Sequence, residues 1–515
     1  MKSPDKYYIT TAIAYPNGKP HMGHAYEAVA TDAIARFHRL DGRDVTFLTG
    51  TDEHGLKIAQ AARAAGVAPK AYVDEMAQAF RTMAATFDIS HDRFIRTTDA
   101  DHIAASQALW QAMAAAGDIY LDRYEGWYSV RDEAYYDEAE LIDATGADGA
   151  AVRLSPQGTA VDWTAEESWF FRLSAYQQRL LNWYDTHPEF IAPPSRFNEM
   201  RSFVERGLKD LSISRTSFDW GVPVPESSGH IMYVWVDALT NYLTGAGYPG
   251  GGYDAIWPAD LHVIGKDVVR FHAIYWPAFL MSAGLALPTT IFGHGFILDR
   301  GEKMSKSLGN VVDPIALAET LGVDRLRWFM LREVAFGDDG NYSHAAIVER
   351  TNADLANGIG NLAQRALAMI AKNLGGRMPS RGVAVGDEAR LLDELNGLAA
   401  TYRAEMLALR LHRGLEAVMT MVALANGYFA DAAPWELRTA DPERMALVLA
   451  TTVEAVRRIA LLAQPVLPGA TARLLDQLGV APGARTFASM ALPVAERTLL
   501  PAPAGVFPRW VEPAV

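Results

Sequence analysis

Residues 7–24 read Tyr-Tyr-Ile-Thr-Thr-Ala-Ile-Ala-Tyr-Pro-Asn-Gly-Lys-Pro-His-Met-Gly-His. The first eight are aromatic, β-branched or small, which suits a buried strand over 7–14. Tyr15-Pro16-Asn17-Gly18 is a turn. A helix begins near His24, because Val29, Ala33, Phe37 and Leu40 recur at helical spacing on one face. Asp41-Gly42 ends it; residues 45–49 are the next strand and 56–65 the next helix. Strand, helix, strand in that order is a βαβ unit, which implies a parallel sheet with right-handed crossovers. The pattern returns late, with 261–264 as strand, 268–283 as helix and 289–297 as strand.

Residues 116–228 differ. They are rich in Tyr, Trp, Asp and Glu, with Gly-rich turns such as Thr145-Gly146-Ala147-Asp148-Gly149, and they read as a domain inserted in the sheet. Beyond residue 350 the chain is Ala/Leu-rich, and its glycines thin out after Gly386, as in a helix bundle. From about 491 it is Pro-rich and extended. The expected organisation is α/β: a Rossmann-type sheet domain in two halves (1–115 and 229–293) split by a connective insert (116–228). A linking region (294–350), a helical bundle (351–490) and a tail that packs back on the core (491–515) follow. Gly358-Ile359-Gly360 resembles a fragment of a dinucleotide loop, but no strand precedes it, so it reads as a close helix contact.

Composition narrows the classes. Half of the 515 residues are apolar, enough for several cores. Lys and Arg number 47 against 61 Asp and Glu, so the net charge of −14 argues against a non-specific nucleic-acid coat while leaving room for a local basic track. Zero cysteines exclude disulfides, thiolate zinc sites and a cysteine nucleophile. No signal or transit pattern stands at the N-terminus. No charged side chain lies between Arg270 and Asp299, but Pro277, Gly284, Pro288, His272 and His294 interrupt that stretch, so a buried helix and strand are expected there rather than a membrane span. A cytoplasmic protein is expected.

Two clusters carry chemistry. His21-Met22-Gly23-His24 places two imidazoles around a glycine at the start of a helix. The helix N-terminus supplies N–H groups and a positive dipole end, the glycine lets a nucleotide approach, and the histidines donate to phosphate oxygens. Lys303-Met304-Ser305-Lys306-Ser307, bounded by Gly301 and Gly309, puts two cations on a loop after the last parallel strand. Such a loop suits cations needed in the transition state, when charge develops on a polyphosphate. Taken separately, the histidines could be surface residues and the lysines a solvated basic turn. Together they point to a site that bends a nucleoside triphosphate around a reacting carboxylate.

The pair resembles the signatures of class I aminoacyl-tRNA synthetases, and the residues between them resemble the methionyl-tRNA synthetase family along nearly the whole chain. The segments that carry the likeness run from Ala12 to Gly18, from Gly50 to Gly55, from Tyr233 to Ala238, and Gly265-Lys266-Asp267 followed by Phe271-His272. The resemblance implies that His21, His24, Lys303 and Lys306 are catalytic, and that Gly23, Glu27, Gly265, Asp267 and Ile297 join them around ATP. It implies that Asp52 holds the ammonium group of methionine, that Tyr15 and Trp235 close over its side chain, and that Ala12, Ile13, Ala238, Leu239, Tyr242, Val268 and His272 line the pocket. Methionine suits aromatic walls because its thioether is polarizable.

The resemblance reaches the bundle. Asn357, Asn361 and Arg365 are spaced four apart and so share a helix face; with Pro434-Trp435 they are expected to read the CAU anticodon. Amides and guanidinium bond unstacked base edges, and an indole stacks a splayed base. The implied reaction takes ATP with Mg²⁺, methionine and tRNA(Met), initiator tRNA included, to AMP, pyrophosphate and methionyl-tRNA.

Departures matter too. Many family members carry a zinc knuckle on Cys-x-x-Cys pairs, and here the corresponding stretch near Ser129 to Tyr136 has none. The knuckle is expected to persist without metal, held by packing and hydrogen bonds. Ala14 and Leu239 replace prolines common in some relatives. Without the appended domain that dimerises some relatives, a monomer is expected. A cysteinyl enzyme would need a zinc–thiolate site; leucyl, isoleucyl and valyl enzymes would need a larger insert. A non-catalytic tRNA-binding paralogue would be expected to lose signature residues, and a small nucleotidyltransferase would have no helical anticodon domain.

Overall fold

The computed structural model describes residues 2–132, 134–145, 151–299, 301–303, 312–382 and 384–511. Its contacts divide into two compact units. One comprises Met1–Pro20, Thr46–Ala84 and His91–Gly293, and the other His21–Val45, Ala85–Ser90 and His294–Val515.

The first unit is built on a six-stranded sheet, in the order Arg93–Arg96, Asp44–Thr51, Lys6–Thr11, Leu261–Gly265, Thr290–His294, Ile191–Ala192. Ile9 pairs with Leu261, Leu48 with Arg93 and Ile291 with Ile191, all in parallel. The strand expected over 7–14 stops at Thr11. Residues 12–15 leave it but stay tied to the next strand: the Ala14 N–H donates to Gly50 O at 2.9 Å, and the Asp52 N–H donates to Ala14 O at 2.9 Å.

The helix expected over 268–283 is three pieces: a 3₁₀ turn at Lys266–Val268, a π-helical turn at Phe271–Tyr275 and an α-helix at Trp276–Ser282. The physical reason lies in Pro277, which has no N–H to offer the carbonyl one turn earlier. That carbonyl, on Ala273, instead accepts the Tyr184 hydroxyl at 2.7 Å. The widened turn carries Phe271 and His272.

The insert forms an antiparallel sheet, Leu211–Ser212, Asp162–Phe171, Ile119–Ser129, Ala134–Tyr136, and a hairpin of Ile142–Thr145 with Ala151–Leu154. At its end Asp132 Oδ2 accepts the hydroxyls of Ser155 at 2.7 Å and Tyr136 at 3.0 Å, and that of Thr159. Ser129 Oγ meets Thr159 Oγ1 at 2.8 Å and accepts from the Asp132 N–H at 3.2 Å. Hydrogen bonds thus tie Ser129, Asp132 and Tyr136, in the stretch where a knuckle was expected, to Ser155 and Thr159.

In the second unit, the helix Met22–Leu40 accompanies a bundle whose longest members are Asp387–Leu407, Leu411–Asp431 and Pro442–Ala463. The strand expected over 289–297 ends at His294, and Ile297–Asp299 pairs instead with Gly340–Tyr342 and Glu302–Lys303. Gly295 sits at the break, where a Cβ would lie 2.2 Å from Asp338 O. The helical run from His344 to Asn373 is α, then π over Thr351–Gly360, then α again from Asn361. Gly358 and Gly360 are close contacts against Val422 and Phe507. The tail returns to its own unit, with the Trp510 N–H donating to Asn352 Oδ1 at 2.8 Å. Among the described residues, no helix is long and apolar enough to cross a membrane.

Candidate active site

The signature histidines cap their helix. His21 is the N-cap of Met22–Leu40, and its Nδ1 accepts from the Gly23 N–H at 3.1 Å. The His21 N–H donates in turn to His24 Nδ1 at 3.2 Å, and the two rings stack with centroids 3.8 Å apart. Two orphan helix donors are thus satisfied reciprocally. Because both Nδ1 atoms accept, a neutral ring carries its proton on Nε2, the donor a phosphate oxygen would use. A Cβ at position 23 would meet the His21 ring at 3.0 Å, so the cap favours glycine there. In the same unit Glu27 Oε2 lies 2.8 Å from His294 Nε2, whose ring Nδ1 donates to Gly295 O at 2.7 Å. Ile297 is buried. The Lys303 backbone pairs with Leu298, so the basic signature starts on a strand and not wholly on a loop. The Lys303 side chain and Lys306 lie outside the described residues.

In the first unit, contacts join several of the residues expected around methionine. The Tyr15 hydroxyl donates to His54 O at 3.0 Å. His54 Nδ1 lies 2.7 Å from Asp237 Oδ2, on the helix Val234–Ala246 that also carries Trp235, Ala238, Leu239 and Tyr242. Trp235 stacks on Phe271 at 3.8 Å, nearly parallel, and meets the His272 ring edge-on at 6.1 Å. The Tyr242 hydroxyl lies 2.6 Å from His272 Nε2, and His272 Nδ1 lies 2.9 Å from Val268 O. Ala12, Ile13, Tyr15, Trp235 and Val268 are half-buried on the edge of this core, whereas Asp52, Ala238, Leu239 and Tyr242 are buried. Asp267 folds back over Gly265, where a Cβ would lie 2.7 Å from its Oδ1.

The protonation pattern follows. A carbonyl only accepts, so His272 Nδ1 carries the proton that Val268 O receives. Burial pushes the His272 pKa down to about 4, so the ring is neutral near pH 7 and its Nε2 accepts from Tyr242. Burial alone would raise the Asp237 carboxyl, but His54 and His102 beside it bring it down to about 2.

In the second unit, Asn357 and Asn361 are exposed, and Arg365 lies with its guanidinium 4.8 Å from the Phe429 ring and 5.2 Å from the Trp435 ring. Asn357 belongs to the π-helical stretch and Asn361 opens the α-helix, so the even four-residue ladder of an ideal α-helix is widened at its start. Pro434 is buried and Trp435 is 45 % exposed, between the helices Leu411–Asp431 and Leu437–Ala440.

Sequence reasoning gave Asp237, His54 and His102 no role. The available signal was Asp237 itself, the one carboxylate on the otherwise uncharged helix Val234–Ala246.

Comparison with known proteins agrees along the whole chain. Residues 7–367 match the family model described as tRNA synthetases class I (M), and residues 378–495 match the anticodon binding domain of methionyl tRNA ligase. The methionine–tRNA ligase of Mesorhizobium japonicum is 59 % identical over 514 residues, covering 99 % of each chain. The solved structure of Mycobacterium tuberculosis methionyl-tRNA synthetase in complex with methionyl-adenylate is 58 % identical, with a TM-score of 0.95 over 99 % of this chain and 100 % of that one. The free-state structure from the same organism gives 0.88 at 54 % identity, over 100 % of this chain and 99 % of that one.

Proposed function

Because this chain belongs to the methionyl-tRNA synthetases, we propose that the residues described above divide its chemistry among three places. The enzyme activates methionine with ATP and charges tRNA. In the first step a methionine carboxylate oxygen attacks the α-phosphorus of ATP, and the bond to pyrophosphate breaks. In the second, a terminal tRNA hydroxyl attacks the adenylate carbonyl and AMP leaves.

His21 and His24 donate from Nε2 to the phosphates, and Lys303 and Lys306 neutralise charge as pyrophosphate departs. Gly23, Glu27, Gly265, Asp267 and Ile297 complete the nucleotide site. ATP enters with Mg²⁺ as its substrate complex. Asp52 pairs with the methionine ammonium group, whose burial needs a partner. Tyr15 and Trp235 cover the thioether, and Ala12, Ile13, Ala238, Leu239, Tyr242, Val268 and His272 line the rest. Methionyl-adenylate, bound by the M. tuberculosis relative, is the intermediate expected here. Asn357, Asn361, Arg365, Pro434 and Trp435 read the anticodon of tRNA(Met), the initiator included.

The same reading assigns 1–115 and 229–293 to the catalytic domain, 116–228 to the insert and 294–350 to the signature loop and stem contact. It gives 351–490 to anticodon binding and 491–515 to the returning tail. It makes the enzyme a cytoplasmic monomer. The observation that supports the substrate best is Trp235, stacked on Phe271 and edge-on to a neutral His272: an aromatic, uncharged wall suited to a thioether. Amino-acid-dependent ATP–pyrophosphate exchange across all twenty amino acids tests it. Methionine should drive exchange most strongly; exchange strongest with leucine or valine would overturn the assignment.

A further inference from the structure

We propose that Asp237 is a positioning residue for methionine: through His54 it holds the segment bearing Asp52 in register with the helix bearing Trp235. The proposal rests on the reading that Asp52 and Trp235 bind the amino acid.

The geometry is that of a two-sided clamp. Asp237 is wholly buried, and each carboxylate oxygen faces one imidazole: Oδ2 is 2.7 Å from His54 Nδ1 and Oδ1 is 2.7 Å from His102 Nε2. Charge-assisted bonds of that length are strong and directional. His102 also reaches Thr244 Oγ1 at 3.1 Å, two turns further along the helix that carries Asp237. It therefore braces the carboxylate against its own helix and leaves the other oxygen aimed at His54.

His54 carries that constraint to the substrate side. It stands two residues after Asp52, and its carbonyl receives the Tyr15 hydroxyl at 3.0 Å. Its ring packs edge-on to Trp220, whose Nε1 donates to Glu53 O at 2.7 Å, while the Gly55 N–H donates to Trp220 O at 3.1 Å. One carboxylate thus fixes the segment for the ammonium group, the helix for the side-chain wall and the tyrosine between them. Stability alone does not call for such a cluster, because apolar packing often replaces buried ion pairs without loss. What a carboxylate between two imidazoles adds is a fixed distance, and small misplacements of binding groups are costly.

The test uses the full enzyme and four variants, with methionine and ATP Michaelis constants from pyrophosphate exchange and a melting temperature for each. Asn places its amide nitrogen where the His Nδ1 stands, and Gln places it where Nε2 stands. Asp237→Asn and His54→Gln should each raise the methionine Michaelis constant about tenfold, with that for ATP unchanged, while His54→Asn should stay near the parent enzyme. A merely structural role would lower the melting temperature without separating the two substrates or the two His54 variants. If Asp237→Asn does not fold, the His54 pair decides. Equal behaviour of His54→Asn and His54→Gln, or a methionine constant that moves only together with that for ATP, overturns the proposal. Asp52→Ala runs alongside: impaired methionine binding there with an unaffected Asp237→Asn sinks the clamp alone, whereas an unaffected Asp52→Ala sinks the pocket assignment and the clamp with it.

Discussion

Arg327 and Asp32, both wholly buried, meet at 2.6 Å between Nη2 and Oδ2. The guanidinium also donates to Val466 O at 3.0 Å, Phe87 O at 2.9 Å and Pro465 O at 2.9 Å. The carboxylate accepts from Arg36 Nε at 2.7 Å and from Ser90 through its N–H and Oγ at 2.7 and 2.6 Å. Each of the three guanidinium nitrogens donates and both carboxylate oxygens accept, and such partners are what let a buried ion pair hold. Asp32 lies on the helix that His21 caps, so Arg327 stitches that helix to the 85–90 segment and to the bundle within the second unit.

Arg327→Met should therefore cost about 3–5 kcal/mol, the usual result of stranding a buried charge. Arg327→Lys should recover little of it, because one ammonium cannot serve a carboxylate and three carbonyls in a fixed fork. Urea denaturation reads both. Burial alone would raise the Asp32 carboxyl, but Arg327, Arg36 and Ser90 hold it below its ordinary value. A depressed carboxylate contributes stability that is present above its unfolded pKa and lost as pH falls through the folded one. Acid destabilisation below about pH 4 should thus be smaller in Arg327→Met than in the parent protein.

His272 should stay neutral well into mild acid. Its pKa, lowered to about 4 by burial, keeps the ring neutral throughout pH 5.5–8, and the Val268 carbonyl 2.9 Å from Nδ1 selects the Nδ1–H tautomer, which nitrogen–proton correlation spectra of the labelled protein can read. The stability this neutral ring carries is complete above the unfolded value, about 6.5, and falls progressively as pH drops from there toward 4. Tyr242→Phe removes the donor to Nε2 and leaves a buried acceptor unsatisfied, at about 1–3 kcal/mol. A spectrum showing a charged ring at pH 6.5 would contradict the assignment.

His24→Ala should slow adenylate formation by about 10²–10³, the effect of losing one transition-state donor. The methionine Michaelis constant should change far less, since the proposed methionine site uses other residues. Lys306→Ala should behave in the same way. Pyrophosphate exchange at unchanged rate in both variants would remove them from the mechanism.

The insert offers a test of composition. With no cysteine in the chain, elemental analysis should find no stoichiometric structural zinc. In its place Asp132 gathers three hydroxyls at the knuckle, so Asp132→Ala should strand them and lower the melting temperature, while Asp132→Asn, still an acceptor, should lower it less. One zinc per chain, or an Asp132→Ala protein as stable as its parent, would show that the knuckle is held otherwise.

The parts legible in the sequence were those with a period or an ordered motif. The parallel sheet follows from alternating strand and helix patterns, and the bundle from an Ala/Leu-rich stretch whose glycines thin out after Gly386. What escaped was fixed by single residues or distant partners. Pro277 breaks a helix that periodicity reads as continuous, and Gly295 splits a strand whose apolar run crosses it. Asp237 stands in a recognisable segment, yet its partners His54 and His102 are 183 and 135 residues away, and no local pattern reports such a contact. The spacing of Asn357, Asn361 and Arg365 was plain, but not the π-helical winding beneath Asn357.

Arg365 and Trp435 offer the sharpest separation of functions. The guanidinium lies 4.8 Å from the Phe429 ring and 5.2 Å from the Trp435 ring, the two rings meet edge-on at 6.0 Å, and Trp435 remains 45 % exposed. An indole held by a cation and an aromatic neighbour yet nearly half exposed is suited to stack a splayed base. Trp435→Ala should cost about 1–3 kcal/mol in tRNA charging, the worth of one base–aromatic stack. ATP–pyrophosphate exchange should not change, because that reaction needs no tRNA. Arg365→Ala should behave likewise and should also loosen Trp435, whose ring loses its cation. Arg365→Lys should recover part of the charging, since an ammonium keeps the cation–π contact but not the planar donor set proposed to read base edges. Normal charging by Trp435→Ala would mean that this turn only packs the bundle and that the anticodon is read elsewhere. Loss of exchange together with charging would mean that the residue supports the fold of the whole enzyme.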